Sequence, residues 1–91
     1  MKTVLKFSAA WCGPCRLMKP IFDKVSKKFA DIENLEFNEI SLDGDDADEI
    51  SDKYGIRNLP TFIIQNNGNE YARHTAALSE KDLEDWIKRN I

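Results

Sequence analysis

Two hydrophobic periods alternate along the 91-residue chain and mark out seven elements. Residues 2–7 (Lys-Thr-Val-Leu-Lys-Phe) lean apolar and end in Ser8-Ala9-Ala10, which reads as a strand running into a loop. Beyond Trp11-Cys12-Gly13-Pro14-Cys15, the residues Leu17, Met18, Ile21, Phe22, Val25 and Phe29 recur at helical spacing. Arg16, Lys19, Asp23, Lys24, Lys27 and Lys28 fill the other face. Pro14 suits the first turn, where a missing N–H costs nothing, whereas Pro20 falls inside the helix and is expected to kink it. Leu35 to Ile40 alternates with period two, as a half-buried strand does. Asp43-Gly44-Asp45-Asp46 then breaks the chain and sets acids at the start of a short helix over 46–53, where the helix dipole favours them. Strands at 60–65 and 70–74 flank Asn66-Asn67-Gly68-Asn69, whose Asn-Gly step signals a hairpin. Ser79, with Asp82 three residues on, opens a last helix with Leu83, Trp86 and Ile87 as its buried stripe.

This order limits the topology. A right-handed crossover makes the first two strands parallel neighbours, and the hairpin is antiparallel. The expected fold class is α/β, a four-stranded mixed sheet with helices on both faces. Both cysteines then lie where the first strand passes into the first helix, the end at which open α/β sheets keep their sites. The length supports one domain over 1–91. At 42% hydrophobic and 32% charged, with 4 Gly and 3 Pro, the chain is neither collagen-like nor disordered. Thirteen Lys and Arg against sixteen Asp and Glu leave a net charge of -3, which argues against nucleic acid or an anionic membrane as partner. No stretch reaches the roughly 20 apolar residues of a membrane span. The first residues meet a charge at Lys6 after only Val4-Leu5, which does not read as a secretory signal, so a cytoplasmic protein is expected.

Cys12 and Cys15 are the only cysteines, and a bond between them closes too short a loop to restrict the unfolded chain much. Chemistry explains the pair better than stability. A thiol reacts as thiolate, and its free pKa is roughly 8.5. Unpaired N–H groups and the positive dipole end at a helix N-terminus stabilise that anion, and Arg16 one turn on is expected to add to this. Cys12, placed like an N-cap, is the exposed attacker; Cys15, on the same face but deeper, resolves the mixed disulfide. Pro14 stiffens the loop between them and is expected to favour the dithiol, making the protein a reductant. Competing readings are two inert buried cysteines or a metal site. Zinc usually takes four ligands and the chain offers one further soft ligand, His74, so no metal is expected within one chain. A dimeric metal or iron–sulfur site sharing two Cys pairs stays conceivable. His74 otherwise reads as a strand-end surface residue, Trp86 as packing, and Asp43–Asp48 as a solvated helix start.

Several features together resemble the thioredoxin family. They are Trp11-Cys12-Gly13-Pro14-Cys15, Pro20, Asp43 after the second strand, Lys53-Tyr54-Gly55-Ile56-Arg57-Asn58-Leu59-Pro60-Thr61, and Asn67-Gly68. The likeness runs from about Val4 to the final helix. It implies a thioredoxin fold with sheet order 2-1-3-4 and a protein-disulfide reductase with no bound cofactor. Cys12 would attack substrate disulfides and Cys15 would release the product. Pro60 would be a cis proline facing the cysteines, and the Leu59 backbone would pair with an extended substrate segment. Trp11, Gly13, Pro14, Leu59 and the Ala76-Ala77 loop would form a flat apolar contact surface. Partners would be disulfide-containing proteins and a thioredoxin-reductase-like flavoprotein as electron donor, with the chain a monomer.

Three departures stand out. The chain begins almost on the strand leading into the Cys motif, which suggests a minimal, glutaredoxin-sized core with residues 35–40 as a sheet edge. Glu36 and Glu39 would guard that edge from pairing. The family's glycine before the last helix is Ala76 here. Five residues before the Trp, where thioredoxins commonly carry a buried Asp partnered by a strand Lys, this chain has Lys6, with Glu39 as the partner. A Lys6–Glu39 pair behind the cysteines is expected; a side chain reaching out to water is the alternative. Such a pair would lower the Cys12 pKa and raise the redox potential, and Glu39 or neutral Lys6 could accept the Cys15 proton. Two other functions fit less of the sequence: a glutathione-coupled, glutaredoxin-like oxidoreductase, and a thioredoxin-fold binding or accessory subunit.

Overall fold

In the computed structural model, which describes residues 1–91, the elements are β1 (Lys2–Ser8), α1 (Gly13–Lys28), β2 (Leu35–Ser41), α2 (Ala47–Tyr54), β3 (Thr61–Asn66), β4 (Asn69–Thr75) and α3 (Glu80–Asn90). They build one mixed sheet in the order β2-β1-β3-β4, the 2-1-3-4 order of the thioredoxin fold. β1 runs parallel to β2 with Lys6 opposite Glu39, and antiparallel to β3 with Lys6 opposite Phe62. β4 closes the other edge, with a register shift at Ile64/Gln65.

The two central strands are covered on both faces, so they lack alternation and read as apolar runs. On one face Val4, Phe62 and Ile64 meet Met18, Phe22, Val25 and Phe29 along α1 and Leu83, Trp86 and Ile87 of α3. On the other, Leu5, Phe7 and Ile63 pack with Leu42 and Ile56 under the half-buried side of α2. Each such side chain, fully buried, contributes about 1.5–3 kcal/mol. β2 at the edge alternates half-buried and exposed from Leu35 to Asn38, and the alternation breaks where Asn38 and Glu39 are both exposed.

Local chemistry fixes the joints. Asn67 (φ 54°) and Gly68 (φ 86°) make the two-residue hairpin turn, in which both positions need positive φ. The Ser79 hydroxyl caps α3 by accepting from the Asp82 amide at 3.1 Å. Arg73 of β4 donates to the carbonyls of Tyr54 and Gly55, satisfying the C-terminal end of α2. α1 runs unbroken through Pro20, which lies on its exposed side. One expectation fails on this helix. Leu17 is not in the seam but 71% exposed, because Met18, Phe22, Val25 and Phe29 already fill the stripe and Leu17 lies a full 100° round from Met18.

Candidate active site

The strand-to-helix joint positions the sulfurs. β1 ends at Ser8, the chain turns through Ala9-Ala10-Trp11, and Cys12 becomes the N-cap of α1 with extended backbone angles. Its Sγ accepts the Cys15 amide at 3.2 Å, while its carbonyl takes the Arg16 amide at 3.3 Å. Pro14 sits in the first turn, as its fixed φ and missing donor allow. Three residues of helix bring Cα of Cys15 to 5.2 Å from that of Cys12, and the two are joined as a disulfide.

In this oxidised form Cys12 is not the exposed residue expected from its place in the sequence. It is 6% exposed against 3% for Cys15, since the bonded sulfur turns in on its partner and Ala9 and Leu59 pack over both. What stands open around the pair is apolar surface. Trp11 is 71% exposed and so is no core residue. Gly13, Pro14, Ala76 and Ala77 are exposed, and Leu59 is half-buried. The Leu59–Pro60 peptide is cis. The Pro60 carbonyl accepts the Ala76 amide at 3.0 Å, which ties the Ala76-Ala77 loop to that peptide. Ala76 itself carries φ 125°, a region that L side chains rarely adopt.

Behind the disulfide the chemistry changes. Lys6 is 1% exposed, and its Nζ lies 2.6 Å from Glu39 Oε2, so the expected pair is formed. The parallel register sets the two residues side by side. Lys6 Nζ also stands 5.4 Å from the centroid of the Phe22 ring. A cavity of about 270 Å³ opens between β1, the end of β2 and the first turns of α1, lined by Lys6, Cys15, Glu39 and Asp43 among others.

Asp43 does more than the solvated helix start read from sequence. Its carboxylate accepts the Ala10 amide at 2.9 and 3.1 Å and the Ser41 hydroxyl, tying the loop before Trp11 to the end of β2. The Ser41 hydroxyl foremost, then the Ala10 amide, holds this carboxyl below its usual pKa. Arg16 donates from Nε to the Ala10 carbonyl at 3.1 Å, bracing the same loop from the helix side. His74 is half-buried on β4, its ring 6.2 Å from that of Trp86, and Trp86 is a core residue as read from sequence. No three His, Cys, Asp or Glu side chains are grouped to hold a metal ion.

The protein-family model described as Thioredoxin matches residues 1–89. This chain belongs to the thioredoxin family. It is 38% identical over 85 residues to thioredoxin of Gallus gallus, an alignment covering 93% of this chain and 75% of that one. Thioredoxin of Rickettsia bellii is 33% identical over all 91 residues, 83% of its length. A solved structure described as "Structure of a malarial protein" superposes with a TM-score of 0.82 at 27% identity, covering 100% of this chain and 98% of the other. As a thioredoxin the chain is a thiol–disulfide oxidoreductase and a protein-disulfide reductase, and its redox-active group is the Cys12–Cys15 disulfide. Thioredoxins need no cofactor for this exchange. The sequence missed two links to Ala10 in this site: the Asp43 bond to the Ala10 amide, which joins loops 33 residues apart, and the bond from Arg16, read there as support for the Cys12 thiolate, to the Ala10 carbonyl. The nearest signal for the first was Ser41-Leu42-Asp43, a hydroxyl and a carboxylate two residues apart just as a strand ends.

Proposed function

We propose that Cys12 attacks the substrate disulfide and Cys15 resolves the mixed disulfide that results. The supporting observation is the Cys15 amide aimed at Cys12 Sγ over 3.2 Å. A helix N-terminus presents donors and positive potential to this sulfur, so its thiolate is stabilised where a substrate would arrive. Cys15 lies one turn inside and faces the rear cavity, which suits the second attack. Trp11, Gly13, Pro14, Leu59, Pro60, Ala76 and Ala77 form the substrate face, and the Leu59 backbone pairs with an extended segment around the target disulfide. Substrates are disulfide-containing proteins, and electrons come from a thioredoxin-reductase-like flavoprotein. The chain works as a monomer in the cytoplasm, where a reducing environment keeps such a pair cycling. No helix is long and apolar enough to cross a membrane. Net charge of -3 supports protein partners over nucleic acid.

The test is insulin disulfide reduction with NADPH and a thioredoxin reductase, run beside glutathione as the alternative donor. Reduction with the flavoprotein, loss of it in Cys12→Ser, and capture of substrate on Cys12 in Cys15→Ser are the expected results. Turnover with glutathione alone would instead mark a glutaredoxin-like enzyme.

A further inference from the structure

The loop that carries Ala76 and Ala77 has no regular structure to satisfy its backbone. It runs from Thr75, the last residue of β4, to Ser79, the N-cap of α3, so each amide between them must find an acceptor elsewhere. The Ala76 amide donates to the Pro60 carbonyl at 3.0 Å. The Leu78 amide meets no oxygen of the chain and donates instead to the thioether of Met18, with 3.4 Å from nitrogen to Sδ. One bond therefore pins each end of the Ala76-Ala77-Leu78 segment. Ala76 at φ 125° needs such anchors, because a backbone in that region persists only where its surroundings hold it.

Met18 lies on the buried stripe of α1, one turn beyond Cys15, and is 1% exposed. It packs in the same core cluster as Phe22, Val25 and Leu83. Leucine or isoleucine would fill such a position with similar volume, but neither accepts a hydrogen bond. A thioether does, weakly. Leu78 is half-buried and packs against that same cluster, so its amide reaches water only if the loop lifts away from α1. The helix that carries the cysteine pair thus also carries the acceptor that fixes the loop.

Resting on the reading that Ala76 and Ala77 belong to the substrate face, we propose that Met18 is a positioning residue for protein substrates. Its thioether holds the loop against α1 and so sets where the Ala76-Ala77 rim stands relative to Cys12 and Cys15. Buried beneath the loop, Met18 acts through Leu78 and touches no substrate. Its effect is confined to substrates large enough to lie on the rim. A small disulfide needs only the Cys12 sulfur, whereas a protein segment laid along the Leu59 backbone also meets the loop. Losing the acceptor frees the Leu78 amide, loosens the rim and weakens protein substrates alone.

Norleucine has the shape of methionine with a methylene in place of sulfur, and biosynthetic replacement reaches only Met1 and Met18, the two methionines of the chain. Met18→Leu, which loses the same acceptor and keeps Met1, is run beside it. In both proteins the Leu78 amide, followed by NMR, is expected to exchange about tenfold faster, while the core amides of Val25 and Ile64 keep their rates. With reductase and NADPH saturating, KM for insulin rises about threefold at unchanged kcat, and the rate with a small aromatic disulfide does not move. Selenomethionine, whose selenium still accepts, keeps the wild-type values. An unchanged Leu78 exchange rate or an insulin KM at the wild-type value overturns the proposal. Faster exchange spread over the whole core does the same, since Met18 would then act by packing alone. Ala77→Glu tests the reading beneath it. If that variant raises KM while the norleucine protein does not, only the role of Met18 falls; if Ala77→Glu leaves KM unmoved, the rim is no part of the substrate face.

Discussion

The two sides of the disulfide are built from opposite materials. In front lie Trp11, the Gly13-Pro14 turn and the Ala76-Ala77 loop, all open to solvent. Behind lie Lys6, Glu39, Asp43 and Arg16, each held by a named bond. An apolar face left in water gains by covering another protein's surface, whereas buried charge gains only while its partners stay in place. The front should therefore govern which substrates are met. The rear should govern the stability of the fold. Substitutions on the two sides ought to separate these quantities.

The largest contrast is expected between Trp11→Ala and Glu39→Gln. Truncating Trp11 removes a ring that is 71% exposed, so stability should move by less than about 0.5 kcal/mol. The KM for a protein disulfide should rise about tenfold, the worth of roughly 1.4 kcal/mol of lost contact. Glu39→Gln leaves the Lys6 ammonium buried with a neutral partner. Breaking a fully buried pair costs about 3–5 kcal/mol, and the partial exposure of Glu39 reduces this to about 2 kcal/mol. Urea melts and insulin-reduction kinetics on both variants check the split. A Trp11 variant that loses as much stability as the Glu39 variant would erase the division.

How much of this was legible in the sequence follows the same line. The seven elements, the hairpin turn and the Ser79 cap are set by neighbours within a few positions, and periodicity and turn chemistry found them. The cysteine site was legible because a strand-to-helix joint fixes Cys12 and Cys15 locally. Lys6 and Glu39 could be paired on paper because a charge inside an apolar strand demands a partner, and the family comparison pointed to the adjacent strand. Leu17 went astray because helical spacing counts apolar positions without knowing how wide a stripe the sheet can cover. Cys12 was expected open because its place at a helix start describes the thiol, whereas the oxidised form folds its sulfur inward. The Asp43 bond to Ala10 depends on two loops meeting in space, and no local pattern encodes it.

A smaller effect is expected at Ala76, on the front rim. Its φ of 125° is disfavoured for any residue with a Cβ, at a cost of order 1–3 kcal/mol. Glycine removes that strain but adds freedom to the unfolded chain, worth about 0.5–1 kcal/mol in the other direction. Ala76→Gly should thus stabilise the protein by about 1 kcal/mol, read as a higher urea midpoint at constant slope. Because the substitution also clears a methyl group beside the Pro60 carbonyl bond, partner range should widen rather than narrow. A loss of stability would show that the methyl group packs to advantage, and the rim would then count as structural.

The smallest effect probes the rear by pH. Asp43 has a carboxyl held below its ordinary value of 3.8 by the Ser41 hydroxyl and the Ala10 amide. A group whose folded pKa is depressed stabilises the fold fully above its unfolded value and loses that contribution as pH falls through the folded one. Between about pH 5 and pH 2, then, the wild type should lose more stability than Asp43→Asn, and the two urea-midpoint curves should converge on the acid side. Both will still fall, because Glu70 beside Arg73 and Glu84 between Lys28 and Lys88 are depressed in the same direction. The difference between the curves isolates Asp43, and it should be modest because the group is open to solvent. Curves that stay parallel down to pH 2 would mean that the carboxylate does not hold the loop before Trp11, and that the Arg16 bond to the Ala10 carbonyl braces it alone.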